Sequence, residues 1–245
     1  TTSEDIEYKL KEKLKLENKN YVRREFHRIC LESTHDVVAI APTGSGKTEA
    51  SLMWALNSNP KKIIFLMPTM VTSNSLYERF STYYFHKKSC GLSHSGAETY
   101  FYSESLKDES ENLYEKFEIL YQKAFIPAVM VSTIDQILST GFHTGLWCHK
   151  EYALVGSSIV FDEIHAYDSY TIGLITSTIK KIKKFGGRVM LMSAAMPQFL
   201  KKHFLELLDL KAPVVAEEFM ERANNEWIYL DMDLKDVREE VLSQI

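Results

Sequence analysis

The sequence predicts a three-layer α/β fold with a mostly parallel central sheet, on three observations. Five short apolar runs do not alternate polar with apolar, helix-length segments separate them, and residues able to do chemistry follow each run. The runs are Asp36 to Ala41, Lys62 to Met67, Pro127 to Ser132, Ser157 to Asp162 and Arg188 to Ser193. A strand that is apolar at successive positions needs cover on both faces, which helix layers on a parallel sheet supply. The stretches 48–56, 69–85, 103–125, 168–185 and 197–208 have the length and composition for the crossover helices. Two helices are expected before the first strand, with Ile6, Leu10 and Leu14 on one stripe and Val22, Phe26, Ile29 and Cys30 on the other.

Composition narrows the function classes. The 245 residues are 45% hydrophobic and 25% charged, which fits one globular domain or one lobe of something larger and excludes disorder and fibres. No apolar run approaches the roughly 18 residues of a membrane helix, and the start Thr1-Thr2-Ser3-Glu4-Asp5 is not a basic and then apolar leader. Cys30, Cys90 and Cys148 are odd in number and far apart, which points to a reducing cytoplasm and argues against structural zinc. Net charge is −4, but residues 98–123 carry seven acids against three bases and 206–241 eleven against four, so the rest sums to +7. That remainder can host a polyanionic ligand. No Gly-, Ser- or Pro-rich linker interrupts the chain, so 1–210 reads as one domain, with N-terminal helices in 1–35 and an acidic helical insert at 98–123. Residues 211–245 read as a segment leading elsewhere.

After the first run comes Ala41-Pro42-Thr43-Gly44-Ser45-Gly46-Lys47-Thr48, a glycine-rich turn entering a helix. Glycines at 44 and 46 let backbone N–H groups converge on phosphates at a helix N-terminus; Lys47 adds a point charge, and Thr48 offers a hydroxyl to Mg²⁺. The fourth run ends in Asp162-Glu163, two acids at the carboxyl end of a buried strand, where open α/β sheets bind ligands. Burying both without a cation is costly, so Asp162 is assigned to Mg²⁺ and Glu163 to the water that attacks a γ-phosphate. His165 is read either as a relay of nucleotide state or as an ordinary hydrogen-bonded turn histidine. His35-Asp36 has the letters of a metal-nuclease dipeptide but leads straight into a buried strand, and is read as structural.

The order APTGSGKT, Pro68-Thr69, Thr133-Ile134-Asp135-Gln136, DEIH and Ser193-Ala194-Ala195 resembles the motifs of superfamily 2 helicases. More narrowly, DEIHAYD, GKTEA, STIDQIL and MSAAMP resemble the helicase half of the CRISPR-associated helicase-nuclease of type I systems, over roughly residues 20–200. The resemblance implies the first RecA-like P-loop NTPase domain of an ATP-dependent DNA helicase acting on target DNA in antiviral interference. ATP and Mg²⁺ are the implied cofactors. It implies nucleotide contacts from Thr43, Gly44, Ser45, Gly46, Lys47, Thr48 and Glu49, with Lys47 and Glu163 as the catalytic pair and Thr48 and Asp162 on the metal. His165 and Ser193 would couple hydrolysis to motion, and Thr69, Thr133 and Gln136 would touch a single DNA strand. Helix capping is the competing reading of Thr133 and Gln136.

Three departures qualify it. His27 stands where the family reads adenine with Gln, and Ala195 stands where the wider superfamily has Thr. None of the seven arginines lies in a Q-x-x-G-R-x-x-R pattern, so the second RecA-like lobe and the nuclease domain or subunit are expected as partners, with an RNA-guided surveillance complex as recruiter. The isolated lobe is then expected to bind ATP and turn it over weakly. The competing functions are a nucleotide-sensing or partner-docking module and an RNA helicase lobe of the same superfamily.

Overall fold

The computed structural model describes residues 24–105 and 112–216, together with Asp5, Tyr8, Lys9 and Glu12. The chain runs α1 (Glu25–Glu32), β1 (Val37–Ile40), α2 (Lys47–Asn57), β2 (Ile63–Met67), α3 (Met70–Arg79) continued by a π-turn at Phe80–Tyr84, and β3 (Cys90–Ser93). It continues through α4 (Ala97–Ser105), α5 (Asn112–Lys123), β4 (Val129–Thr133), α6 (Asp135–Leu138) with a 3₁₀ turn at Ser139–Phe142, and α7 (Trp147–Leu154). Then come β5 (Ser158–Phe161), α8 (Ser169–Lys184), β6 (Arg188–Ser193), α9 (Gln198–Leu207) and β7 (Val214–Val215). Seven strands form one sheet in the order β3-β4-β2-β5-β6-β1-β7, and every pairing among them is parallel.

Successive strand residues serve opposite faces, which is why the runs are apolar throughout. Val37, Ala39, Ile63, Phe65, Met67, Val129 and Val131 enter one core beneath Phe26 and Cys30 of α1, Trp54 of α2, and Leu76, Phe80 and Tyr84. Val38, Ile64, Leu66, Met130, Ile159, Phe161 and Leu191 enter the other, against Ile137, Leu154, Phe204 and the Ile175, Ile179, Ile182 stripe of α8. Burying side chains of this size contributes about 1.5–3 kcal/mol each. Asp168 caps α8 by accepting a hydrogen bond from the Thr171 amide at 2.8 Å.

The five interior strands stand where the sequence places them, to within two residues. The structure adds edge strands β3 and β7 and the short helices α6 and α7. β7 pairs with β1 and carries the sheet past residue 210. The helix expected over 103–125 is divided into α4 and α5. Ile6, Leu10, Leu14 and Val22 lie outside the described residues, as does 217–245. Among the described residues no helix is long and apolar enough to cross a membrane.

Candidate nucleotide site

The turn after β1 is shaped by two glycines in the left-handed region, Gly44 at φ +82° and Gly46 at φ +85°. A Cβ on Gly44 would meet nothing within 4 Å, so space lies open over the turn. A Cβ on Gly46 would lie 2.4 Å from Nε2 of His27, so the loop closes against α1 at this point. The same nitrogen is 3.2 Å from the Gly46 carbonyl, and Arg24 Nη1 donates to the Gly44 carbonyl at 3.1 Å. His27 is therefore buried beneath the loop and braces its backbone. Thr43 is exposed and Thr48 half-buried, whereas Ser45 is fully buried with its hydroxyl unpartnered.

Lys47 reaches from the start of α2 to donate to Oε1 of Glu163 at 2.8 Å, joining the loop to the acidic pair after β5. Glu163 sits at φ +47°, a left-handed conformation that a non-glycine residue holds only when its surroundings dictate it. Its amide donates to Oδ1 of Asp162 at 2.9 Å, and the Asp162 amide donates to the Leu66 carbonyl at 2.9 Å, which fixes the pair to β2. Burial pushes the Asp162 carboxyl above the ordinary carboxylate range and Glu163 adds to this, while Lys47 opposes it. A desolvated acid beside a second acid is suited to a cation, and hard oxygen donors at Asp162 and Thr48 suit Mg²⁺. The residues present therefore fit the ion.

His165 Nδ1 lies 2.7 Å from Ser193 Oγ at the end of β6 and 3.4 Å from Glu163 Oε2. Ser193 Oγ donates to the Ala195 carbonyl, so it must accept from His165, and the proton belongs on Nδ1. Residue 195 thus supplies a backbone oxygen to this chain of contacts. The predicted coupling residues are brought together next to the predicted base.

Other predicted positions are placed differently. Glu49 is buried and turned away from the loop, accepting from Tyr84 Oη at 2.7 Å and pairing with Arg79. Its carboxylate joins α2 to the π-turn, a packing role in place of the expected nucleotide contact. Thr69 is exposed and caps α3, accepting from the Thr72 amide at 3.2 Å. Thr133 is buried at the end of β4. Gln136 spends both ends of its amide inside the chain, donating to Asp135 Oδ2 at 2.7 Å and accepting from buried Lys150 Nζ at 3.0 Å. Of the three expected nucleic-acid contacts, only Thr69 stands exposed.

Asp36 accepts from the Val189 amide at 2.8 Å and pairs with Lys183, which ties β1, β6 and α8 together. Both oxygens of the Asp36 carboxylate are thus spent inside the fold, and no group of metal-ligating side chains of three or more occurs among the described residues. His94 is buried and accepts from the Gly96 amide through Nδ1 at 3.1 Å while Nε2 meets Asn74 Oδ1 at 2.7 Å.

Comparisons with known proteins agree with this geometry. A family model described as DEAD/DEAH box helicase matches residues 22–203. A CRISPR-associated nuclease/helicase Cas3 of Methanocaldococcus jannaschii is 30% identical over 93% of this chain and 32% of its own length. The CRISPR-associated endonuclease/helicase Cas3 of Escherichia coli is 30% identical over 68% of this chain and 21% of its own length. The structure of T. fusca Cas3 with AMPPNP superposes with a TM-score of 0.62 at 20% identity, over 77% of this chain and 23% of that one, which supports the fold. The chain thus spans about a third or less of the proteins it matches. With its loop, acidic pair and parallel sheet in that arrangement, the chain belongs to the DEAD/DEAH box helicases, as a first RecA-like domain similar to that of the Cas3 helicase-nucleases.

Proposed function

We propose that this chain is the ATP-binding and hydrolysing lobe of a DNA translocase that acts on target DNA in type I CRISPR interference. It works with a second RecA-like lobe, a nuclease domain or subunit and an RNA-guided surveillance complex. The observation that carries the reading is the 2.8 Å contact of Lys47 with Glu163, which brings a phosphate-loop cation and an acidic strand end to one point although 116 positions separate them.

The residues divide the work. The amides of Thr43, Gly44, Gly46, Lys47 and Thr48 bind phosphate oxygens at the N-terminus of α2, with the glycines and Ser45, whose own amide donates to the Pro42 carbonyl, holding the curl and His27 bracing it. Lys47 leaves Glu163 for phosphate, and Glu163 then has a free carboxylate to take a proton from the attacking water at Oε1. Asp162 and Thr48 hold Mg²⁺, which neutralises phosphate charge when bound. His165 Nδ1–H, shared between Ser193 and the neighbourhood of Glu163, registers the change in that carboxylate's partner and passes it to the end of β6. Thr69 supports backbone contact with single-stranded DNA, which carries little sequence information.

The test is hydrolysis by a two-lobed protein carrying this chain, with single-stranded DNA, RNA or no polynucleotide. DNA-stimulated turnover that Glu163→Gln abolishes is the expected result. Turnover that stays at background with a competent second lobe and DNA present rejects the motor and favours a nucleotide-sensing module. Stimulation that requires 2′-hydroxyls assigns the lobe to RNA instead.

A further inference from the structure

The loop between α6 and α7 has features that the nucleotide chemistry does not use. Phe142 ends the 3₁₀ turn with 58% of its surface exposed. His143 follows at φ +51°, left-handed without being glycine, and its ring lies 4.5 Å from that of Trp147, centroid to centroid. Gly145, at φ +62°, turns the chain back into α7. The result is an exposed ring beside a ring pair, presented on a tight excursion.

The base of this excursion is firmly tied. Lys150, from α7, donates to Gln136 on α6 and lies 5.7 Å over the Phe125 ring. Ser139 Oγ donates to the Gln136 carbonyl at 2.9 Å, and Thr144 Oγ1 to the Ser139 carbonyl at 3.3 Å. Gln136 therefore acts on the loop, and this is where its amide is spent. The tip is consequently aromatic and held in place.

Charge completes the pattern. This chain has 33 acids against 29 bases, yet no acid occurs between Asp135 and Glu151, while the exposed His143 and His149 fall within that interval. Glu151 itself is paired with Lys181. A polyanion can approach this loop without meeting a carboxylate on it.

We infer that the loop 139–147 is a base-stacking platform for single-stranded DNA, in which Phe142 and the His143–Trp147 pair take nucleobases by their faces. Flat rings without hydrogen-bond readout suit every base, so the contact is sequence-tolerant, as a translocating strand requires. The inference rests on the DNA reading above and adds to it where bases, as distinct from phosphates, are held.

The test compares binding of a mixed-sequence single-stranded DNA with an abasic deoxyribose-phosphate strand of equal length, by fluorescence anisotropy on the 245-residue chain. The base-bearing strand is expected to bind about tenfold tighter, the effect of one stacked base. Phe142→Ala should lower that ratio severalfold and leave affinity for the abasic strand unchanged. Because Phe142 is exposed, its replacement does not threaten the core, and His143→Ala serves as the second variant. Equal binding of both strands by the unmodified chain, or a ratio untouched by either substitution, overturns the platform and leaves the DNA reading standing. Failure to bind either strand overturns both.

Discussion

Lys47 Nζ and Glu163 Oε1 satisfy each other across 2.8 Å, so the proposed phosphate cation and the proposed base are each engaged by the other in this structure. The pair is partly buried, Lys47 at 12% and Glu163 at 30% side-chain exposure, so exchanging one anion for another costs Lys47 less than emptying the site would. Glu163→Gln should therefore retain or tighten Mg-ATP binding by calorimetry while lowering stimulated turnover about 10²–10⁴-fold. Lys47→Ala should weaken binding by at least about tenfold, the effect of one lost charge-assisted hydrogen bond. Equal heats of binding for the unmodified chain and Lys47→Ala would contradict the assignment of the loop.

Gly46→Ala faces two obstacles at once. The left-handed backbone disfavours any Cβ, and this one would meet His27 at 2.4 Å. We expect a loss of about 1–3 kcal/mol in denaturant unfolding together with loss of nucleotide binding. Adding His27→Ala should recover part of the stability, since it removes the collision and leaves the backbone strain.

Asp36→Ala should lower stability by about 1–3 kcal/mol by leaving the buried Val189 amide without its acceptor. Mg-ATP affinity of the folded protein should be unchanged. A fall in nucleotide affinity without a fall in melting temperature would reassign this residue to the site.

His94 carries a pH dependence whose sign follows from its contacts. Burial holds its pKa below the ordinary histidine value, with Asp135 opposing, and its Nδ1 must stay unprotonated to accept from Gly96. A folded pKa below the unfolded one means that the unfolded chain binds more protons in the window between them. Stability is then full above about pH 6.5 and is lost as pH falls toward the depressed value. His94→Asn retains a side-chain acceptor without titrating, so unfolding measured from pH 7 to pH 5 should decline less steeply in the variant than in the unmodified chain.

What was legible in the sequence follows from where each signal is stored. Interior strands such as Ile63–Met67 announce themselves because both faces are buried and every position must be apolar. The edge strand Cys90–Ser93 has Gly and Ser within four residues, and Val214–Val215 is only two residues long, so neither forms a recognisable run. The phosphate loop and Asp162-Glu163 were legible for a similar reason: their chemistry is local to a few consecutive positions. Glu49, Gln136 and His27 took their expected roles from the resemblance, whereas in this structure their side chains meet Tyr84, Lys150 and Gly46, 35, 14 and 19 positions away. Nothing in a local pattern announces a carboxylate that faces inward to Tyr84, or an amide that pins a loop to Lys150.

β6 lies directly between β1 and β5, and its last residue is Ser193. At about 4.8 Å per strand, the loop and the acidic pair are held roughly 10 Å apart by a spacer that cannot stretch. Closing that gap falls to side chains, and the longest available is Lys47. The sheet thus acts as a ruler: Ser193, whose carbonyl accepts from the Ala41 amide and whose hydroxyl meets His165, ties the strand before the loop to the turn after the acidic pair, so neither can shift without the other.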